Sequence, residues 1–236
     1  MLQEAIILAG GFGTRLKTVV ADVPKPMAPV NDKPFLDYHF KYLAYFGIKK
    51  VVLSVGYLSE IITAHYGSNF NGIEITYAIE KEPLGTGGGI KMALQQCTTP
   101  EVLVLNGDSF FDINLRSFYN NHSDGISDCS LALRRVSNAS RYGTITLDEF
   151  DLIEDFKEKT DKIEAGIINA GVYILSRELY NDETPKQKSF SIEKDFFEKK
   201  LNEISMHGYI YDGYFIDIGI PEDYKKAQHD FKTFKY

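Results

Sequence analysis

The segment LAGGFGTRLKTVVADVPKPM, residues 8–27, combines a glycine-rich loop with three cations. The glycines are Gly10, Gly11 and Gly13, and the cations are Arg15, Lys17 and Lys25. Glycines let a ligand approach the backbone, and the cations indicate that this ligand is an anion. The loop lacks the third glycine of a dinucleotide fingerprint and the Gly-Lys-Ser/Thr ending of a P-loop. It therefore predicts an anion site of another kind, with a simple tight turn as the alternative.

Lys25 stands between Pro24 and Pro26. Proline fixes its own φ and disfavours helix at the residue before it, so we predict a stiff, extended segment around Lys25. A stiff lysine loses less conformational entropy when it binds a phosphate. The alternative is a solvated lysine in a surface loop.

Two aspartates follow predicted strand ends. Asp108 comes after EVLVLNG, and Asp217 lies in FIDIG. For Asp108 alone, a turn or a helix N-cap is an equal alternative. Asp112 lies nearer the start of the next helix, and we interpret it as the cap of that helix.

The first half of the chain alternates strands with helices, which is typical of βαβ units and of a doubly wound parallel sheet. Apolar runs predict strands at 3–9, 49–55, 73–79 and 101–108, and helical spacing predicts helices at 34–48, 59–67 and 89–96. Ligands of such sheets bind beyond the carboxyl ends of the strands. We therefore expect the loops after the first, third and fourth strands to meet at one edge.

From about residue 128 the chain is rich in closely spaced strands, as in CSLALRRV, YGTITLDEF and NAGVYIL. GYIYDGYFIDIG predicts a further strand pair, and PEDYKKAQHDFKTF a closing helix with proline at its first position. We predict an α/β fold: a doubly wound, mostly parallel, Rossmann-like mixed sheet with helices on both faces and a small antiparallel part. Residues 1–236 form one domain in this interpretation, with 1–127 mainly a nucleotide-binding half and 128–236 a half that completes a substrate pocket.

The composition excludes several classes of protein. With 236 residues, 44% hydrophobic and 25% charged, the chain is ordinary for a globular domain. A net charge of −7 argues against binding nucleic acid, and no apolar run is long enough to span a membrane. The N-terminus does not have the pattern of a signal peptide, and two cysteines without metal spacing fit a reducing cytoplasm.

The loop and PKPM together resemble the signature of the sugar-1-phosphate nucleotidyltransferases. The resemblance extends over almost the whole chain, through EKEPLGTGG, LNGDSF, RYGTI, FKEK, NAGVYIL and FIDIGIPEDY in family order. It implies that a sugar 1-phosphate attacks the α-phosphorus of a nucleoside triphosphate and releases pyrophosphate. The usual Asp-Ile-Gly-Thr-Pro-Glu of the family is changed at one position, where Ile220 replaces the hydroxyl residue.

The resemblance also implies roles for individual residues. Arg15 would hold the β- and γ-phosphates, Lys25 would bridge the two substrates, and Asp108 would act with them in catalysis. Nucleotide contacts fall on Leu8, Gly10, Gly11, Gly13, Thr14, Arg15, Glu80, Gly85, Thr86 and Asp108. Sugar-phosphate contacts fall on Lys25, Tyr142, Gly143, Glu158, Lys159, Asn169 and Gly171. Asp108 and Asp217 would bind Mg²⁺, which takes oxygen ligands.

Glu80 bears on the choice of base. Thymidylyl- and uridylyltransferases of the family usually have Gln at this position, which can both donate and accept hydrogen bonds. A carboxylate only accepts, and guanine offers two adjacent donors, N1–H and N2–H₂. The sequence thus favours GTP over UTP or TTP, unless Glu80 only pairs with Lys81 or solvent.

Within the family, a short guanylyl-type chain without a hexapeptide-repeat β-helix resembles the members that use D-glycero-α-D-manno-heptose 1-phosphate. Their product, GDP-heptose, serves bacterial surface polysaccharides. Mannose 1-phosphate, or a glucose-1-phosphate thymidylyl or uridylyl transfer, stays open, as does a non-catalytic regulatory subunit. A homo-oligomer through the aromatic residues near Tyr42 also stays open, although packing of the helix explains most of them.

Overall fold

The computed structural model describes residues 1–11, 20, 22–157 and 164–236. In these residues the strands are β1 (Glu4–Leu8), β2 (Pro29–Val30), β3 (Lys33–Pro34), β4 (Lys50–Val55), β5 (Asn69–Phe70), β6 (Ile73–Ile79), β7 (Glu101–Asn106), β8 (Ser109–Phe111), β9 (Cys129–Val136), β10 (Thr144–Leu147), β11 (Ile153–Lys157), β12 (Gly166–Ser176), β13 (Met206–Ile210) and β14 (Phe215–Asp217). The helices are α1 (Phe35–Tyr45), α2 (Ser59–Tyr66), α3 (Gly85–Leu94), α4 (Leu115–Asp124), α5 (Arg177–Glu183), α6 (Glu198–Lys200) and α7 (Pro221–Asp230). A π-helical turn, Glu193–Phe197, leads into α6.

One ten-stranded sheet runs through both halves of the chain. Eight strands follow in the order β11-β10-β12-β7-β1-β4-β6-β5, while β9 pairs with β12 and β13 pairs with β9. The strands β7, β1, β4 and β6 are parallel neighbours, whereas β12 runs antiparallel to β7, β9 and β10. The predicted fold class, a mostly parallel mixed sheet with an antiparallel part, is confirmed.

The central strands bury both of their faces, which explains their nearly continuous apolar sequence. On β1, Ala5 and Ile7 join the hydrophobic cluster beneath α1, α2, α4 and α7, while Ile6 joins the cluster beneath α3 and α5. Side chains alternate across a strand, so one short segment contributes to both layers. The helices therefore cover both faces of the sheet.

Three predictions about helix starts, helix caps and strand pairing were wrong. The third helix begins at Gly85 and not at Gly89, because contacts to a distant segment fix the glycine-rich turn as helix. Asn114, not Asp112, caps α4, its side chain accepting hydrogen bonds from the backbone of Arg116 and Ser117.

The third error concerns the strands of GYIYDGYFIDIG, which do not pair with each other. β13 joins β9 in the large sheet, and β14 joins β8 in a separate two-stranded sheet. The sequence reveals that two strands follow closely, but their partners lie far away along the chain.

Candidate active site

A cavity of about 540 Å³ opens at the carboxyl ends of β1, β6, β7 and β14. It is lined by Leu8, Ala9, Gly10, Gly11, Lys25, Pro26, Glu80, Pro83, Gly85, Thr86, Asn106, Asp108, Asp217 and Gly219. The loops after the first, third and fourth predicted strands do meet here, as expected for a doubly wound sheet.

Lys25 lies between the two predicted metal-binding aspartates. Its Nζ is 2.7 Å from Asp108 Oδ2 and 3.4 Å from Asp217 Oδ1. The lysine side chain is only 12% exposed, whereas that of Asp108 is 42% exposed. The cluster thus places one cation and two anions at the surface of the cavity.

Backbone pairing brings the two aspartates together. Asp217 ends β14 and lies opposite Ser109 of β8, the strand that begins immediately after Asp108. The Ile218 N–H donates to the Asp108 carbonyl at 3.0 Å, and the Gly219 N–H donates to Asp217 Oδ1 at 2.7 Å. The second bond orients the Asp217 carboxylate from the backbone, in addition to the ion pairs that Lys25 and Arg141 make with it.

The backbone around Lys25 is not extended, contrary to the prediction. Lys25–Met27 form a 3₁₀ turn that follows Pro24, and Pro26 is buried. A Cβ at Gly107 would lie 3.3 Å from the ring of Pro26 and 2.6 Å from the Leu8 carbonyl. The turn is therefore packed tightly against the loop before Asp108, which holds the lysine in place.

The donor set of this cluster fits a magnesium ion. Within the described part of the chain, no group of three or more His, Cys, Asp or Glu side chains is arranged to hold a metal. Magnesium commonly takes only one or two carboxylates and completes its coordination with phosphate oxygens and water. Because Asp108 and Asp217 both reach the same cationic nitrogen, they are close enough together to share one metal ion.

Glu80 is held at the cavity wall by two donors, one on each carboxylate oxygen. Ser54 Oγ donates to Oε1 at 3.0 Å, and the Leu84 N–H donates to Oε2 at 3.0 Å. A Cβ at Gly10 or Gly89 would come within 2.9 Å of Oε1, so both glycines make room for this carboxylate. Each oxygen keeps a second lone pair, and Glu80 therefore remains an acceptor for a ligand.

The start of α3 is closed by a segment from the second half of the chain. The Phe190 N–H donates to the Leu84 carbonyl, and the Phe190 carbonyl accepts from Gly87 and Gly88. Gly85 has φ +70°, and a Cβ there would lie 2.5 Å from the Phe190 carbonyl oxygen.

The Thr86 hydroxyl already makes two hydrogen bonds within the protein. It donates to Glu193 Oε2 and accepts from the Ile192 N–H, each at 2.9 Å. We expect any contact of Thr86 with a nucleotide to come from its backbone.

Tyr142 and Gly143 lie beside the Asp217 end of the cavity. The Tyr142 ring is 6.1 Å from that of Phe215, at an angle of 67°, and burial raises the pKa of the Tyr142 hydroxyl to about 12. A Cβ at Gly143 would lie 2.9 Å from the Lys157 carbonyl oxygen. The tyrosine is therefore a neutral hydrogen-bond donor at physiological pH.

Asn169 and Gly171 form an irregular turn within β12. The Asn169 side chain accepts from the Gly171 N–H and donates to the Tyr173 hydroxyl, both at 2.9 Å. Gly171 has φ +75°, and a Cβ there would come within 2.5 Å of the Asn106 side-chain nitrogen. Asn106 lines the cavity, so the turn at Gly171 packs against a residue of the cavity wall.

Several predicted residues lie outside the described part of the chain. They are Gly13, Thr14, Arg15 and Lys17 in the glycine-rich loop, and Glu158 and Lys159 after β11. Their roles remain predictions.

Sequence reasoning assigned no role to three residues of this site. Ser54 lies fully buried on β4 and holds Glu80, and nothing in its local sequence indicates this. Asn106 lies close to Asp108 in the motif LNGDSF, and Arg141 lies next to Tyr142 in the motif RYGTI. Arg141 Nη2 lies 3.6 Å from Asp217 Oδ2, and its Nη1 lies 2.5 Å from Asp223 Oδ2.

Comparison with known proteins defines the class. A model of the nucleotidyl transferase family matches residues 4–233. The chain belongs to this family, as its motifs predicted, and the family's fold agrees with the sheet described above.

Two curated relatives are D-glycero-α-D-manno-heptose 1-phosphate guanylyltransferases. The one from Aneurinibacillus thermoaerophilus is 46% identical over 232 residues, which is 98% of this chain and 100% of the relative. The one from Campylobacter jejuni is 48% identical over 222 residues, or 94% and 97% of the two chains.

Among solved structures, HddC from Yersinia pseudotuberculosis in complex with GMP-PN is similar. It is 37% identical with a TM-score of 0.84, covering 98% of this chain and 100% of HddC. In the described ranges of this protein, no helix is both long and apolar enough to cross a membrane.

Proposed function

We propose that this protein transfers GMP from GTP to D-glycero-α-D-manno-heptose 1-phosphate, giving GDP-heptose and pyrophosphate. The observation that carries the proposal is that one cavity contains both a fixed carboxylate, Glu80, and the cluster of Lys25 with two aspartates. The two relatives with 46% and 48% identity bear the name of this activity, which supports the choice of sugar. The product would serve the synthesis of bacterial surface polysaccharides.

In the reaction, an oxygen of the sugar phosphate forms a bond to the α-phosphorus while the bond to the β-phosphate oxygen breaks. Pyrophosphate leaves in line with the attack. The protein must bring two anions together, and Lys25 is placed for this because its largely covered side chain is held at the cluster. Magnesium held by Asp108 and Asp217 would neutralise charge on the phosphates. By resemblance, Arg15 holds the departing pyrophosphate.

Glu80 would select guanine through its two acceptor oxygens. Because Ser54 and Leu84 already donate one hydrogen bond to each oxygen, the carboxylate cannot turn toward another partner. Its remaining lone pairs match the adjacent N1–H and N2–H₂ donors of guanine. Uracil and thymine present one donor beside an acceptor. That acceptor would face a carboxylate oxygen of Glu80, and the two acceptors would repel each other.

On the sugar side, the neutral Tyr142 hydroxyl is a donor for a phosphate or a sugar oxygen. We also infer that residues 1–236 act as a single nucleotidyltransferase domain, because Asp217 of the second half and Lys25 of the first complete one cluster.

The first experiment measures pyrophosphate release by the purified protein with Mg²⁺. GTP, UTP, dTTP and ATP are each paired with heptose, mannose and glucose 1-phosphates. We expect the highest kcat/KM for GTP with the heptose. A higher kcat/KM with mannose 1-phosphate would identify that sugar phosphate, and not the heptose, as the substrate. No pyrophosphate release with any pair would favour a non-catalytic binding subunit.

Glu80→Gln tests the choice of base. We expect it to lower kcat/KM for GTP on the order of tenfold or more, since an amide NH₂ would face a guanine donor. Glu82→Gln, an exposed neighbour in the same loop, is the matched control. Inosine triphosphate, which lacks the 2-amino group, should lose less than GTP on the Glu80 substitution. An unchanged preference for GTP in Glu80→Gln would place base selection elsewhere.

A further inference from the structure

Arg141 connects three parts of the site. Its guanidinium pairs with Asp223 in the first turn of α7 at 2.5 Å and with Asp217 at the phosphate cluster at 3.6 Å. It also lies 5.5 Å from the centre of the Tyr142 ring. The side chain is about one-third exposed, so it reaches from the rim of the cavity toward the cluster.

Asp217 does not depend on Arg141 for its orientation. The Gly219 N–H donates to Asp217 Oδ1 at 2.7 Å, and Lys25 Nζ lies 3.4 Å from the same oxygen. The carboxylate is therefore fixed from its other side. The ion pairs of Arg141 instead hold in position the backbone segment to which the arginine itself belongs.

Few other polar contacts hold that segment, residues 138–143, among the described residues, and its one aromatic contact is that of the Tyr142 ring with Phe215 of β14. The Ala139 N–H donates to the Glu164 carbonyl at 2.9 Å, and the Tyr142 N–H donates to the Ala139 carbonyl at 2.8 Å. The first bond leads to the neighbouring β12 connection, and the second stays inside the segment. Neither bond joins the segment to the phosphate cluster.

We propose that Arg141 is a positioning residue that fastens the sugar-side segment 138–143 to the phosphate cluster and to α7. The proposal rests on the proposed function, in which Tyr142 and Gly143 contact the sugar phosphate. Arg141 acts through these residues, so its loss should weaken binding of the sugar phosphate and leave nucleotide binding intact.

The chemistry of the guanidinium suits this role. Its rigid fork presents several N–H donors in one plane, so Nη1 and Nη2 serve two different carboxylates at once. An ammonium group is a point charge on a flexible stem and cannot hold both carboxylates in the same arrangement. Arg141→Lys is therefore expected to keep the positive charge but not the position of segment 138–143.

The test compares Arg141→Gln, Arg141→Lys and Asp223→Asn with the unchanged protein. Steady-state rates give KM for the sugar 1-phosphate and KM for GTP separately. We expect Arg141→Gln to raise KM for the sugar phosphate on the order of tenfold and to change KM for GTP less than about twofold. Asp223→Asn, which weakens the anchor on α7, should shift the same constant by a smaller factor.

Arg134→Gln is the matched control. Arg134 lies on β9, pairs with Asp212 at 3.5 Å and donates to the Tyr211 carbonyl, away from the cavity. Its substitution removes a comparable ion pair and should leave both KM values unchanged. Thermal melting of every variant verifies folding, and Asp223→Asn tests the proposal if Arg141→Gln does not fold.

A binding measurement without turnover separates this inference from the proposed function. Isothermal titration with GDP and with GDP-mannose compares ligands that differ only by the sugar. Arg141→Gln should lose affinity for GDP-mannose and retain it for GDP, whatever the natural sugar is. Equal losses for both ligands, a rise in KM for GTP, or no change in any constant would overturn the proposal. If the unchanged protein releases no pyrophosphate with any pair, the proposed function fails, while the titration still decides the role of Arg141.

Discussion

Glu4 allows a quantitative prediction about stability because its carboxylate accepts an unusual number of hydrogen bonds. It lies on β1 at the end opposite the cavity, and its side chain is only 6% exposed. The backbone N–H and hydroxyl groups of both Thr98 and Thr99 donate to it, at distances between 2.6 and 3.1 Å. Lys50 Nζ lies 3.4 Å away. Replacing Glu4 therefore perturbs folding without touching the site.

The size of the effect follows from the pKa of Glu4. Burial raises this pKa, but the hydrogen bonds from Thr99 and Thr98 outweigh it and lower the pKa from 4.5 to about 2. A lowered pKa in the folded state means that the ionised form is bound more tightly by the fold. The difference corresponds to about 3 kcal/mol of unfolding free energy, fully present above about pH 4.5 and lost as the pH falls toward 2.

Urea denaturation of Glu4→Gln tests this value. At pH 7 we expect the free energy of unfolding to fall by about 3 kcal/mol, because the amide turns donors toward the donors of Thr98 and Thr99. Between pH 4.5 and 2, the variant should lose less stability than the unchanged protein. Glu74→Gln, an exposed glutamate on β6, should change stability by less than about 0.5 kcal/mol. Equal losses in the two variants, or identical pH dependence with and without Glu4, would refute the reasoning.

Two further predictions concern the support of Glu80 and the start of α3. Ser54→Ala should reduce the preference for GTP over inosine triphosphate by a factor on the order of ten in kcat/KM, because Glu80 loses the donor to Oε1; an unchanged ratio would contradict the role of Ser54. Gly85→Ala should lower the free energy of unfolding by about 2 kcal/mol or more, since it combines a positive φ with a clash against Phe190. Gly72→Ala has φ +79° with open space around the added Cβ, so it measures the cost of backbone strain alone, and equal losses at the two glycines would exclude the clash.

The sequence reveals the parts of this site that depend on local pattern. Apolar runs located β1, β4 and β6 to within a residue or two, since a strand buried on both faces needs an uninterrupted apolar segment. The motif residues Lys25 and Asp108 meet in one cavity because the ends of neighbouring parallel strands share an edge of the sheet.

What the sequence does not reveal depends on contacts between distant residues. Arg141 and Asp223 are 82 positions apart, and neither has a local pattern that predicts the pair. The glycine-rich turn is helical from Gly85, where the backbone of the distant Phe190 forms hydrogen bonds with it, although glycine by itself disfavours helix. Asp112 illustrates the same limit, because it pairs with Lys235 and not with the start of α4.

The Phe190 segment that closes the start of α3 has a consequence for the synthesis of the protein. Translation delivers the N-terminal half first, yet the loop that carries Glu80 and Gly85 obtains its closing hydrogen bonds from residues more than 100 positions later. A nascent chain that ends before this segment contains the glycine loop and Glu80 but lacks a finished base pocket. We therefore expect GTP to stabilise the complete chain against unfolding but not a fragment that ends before Phe190.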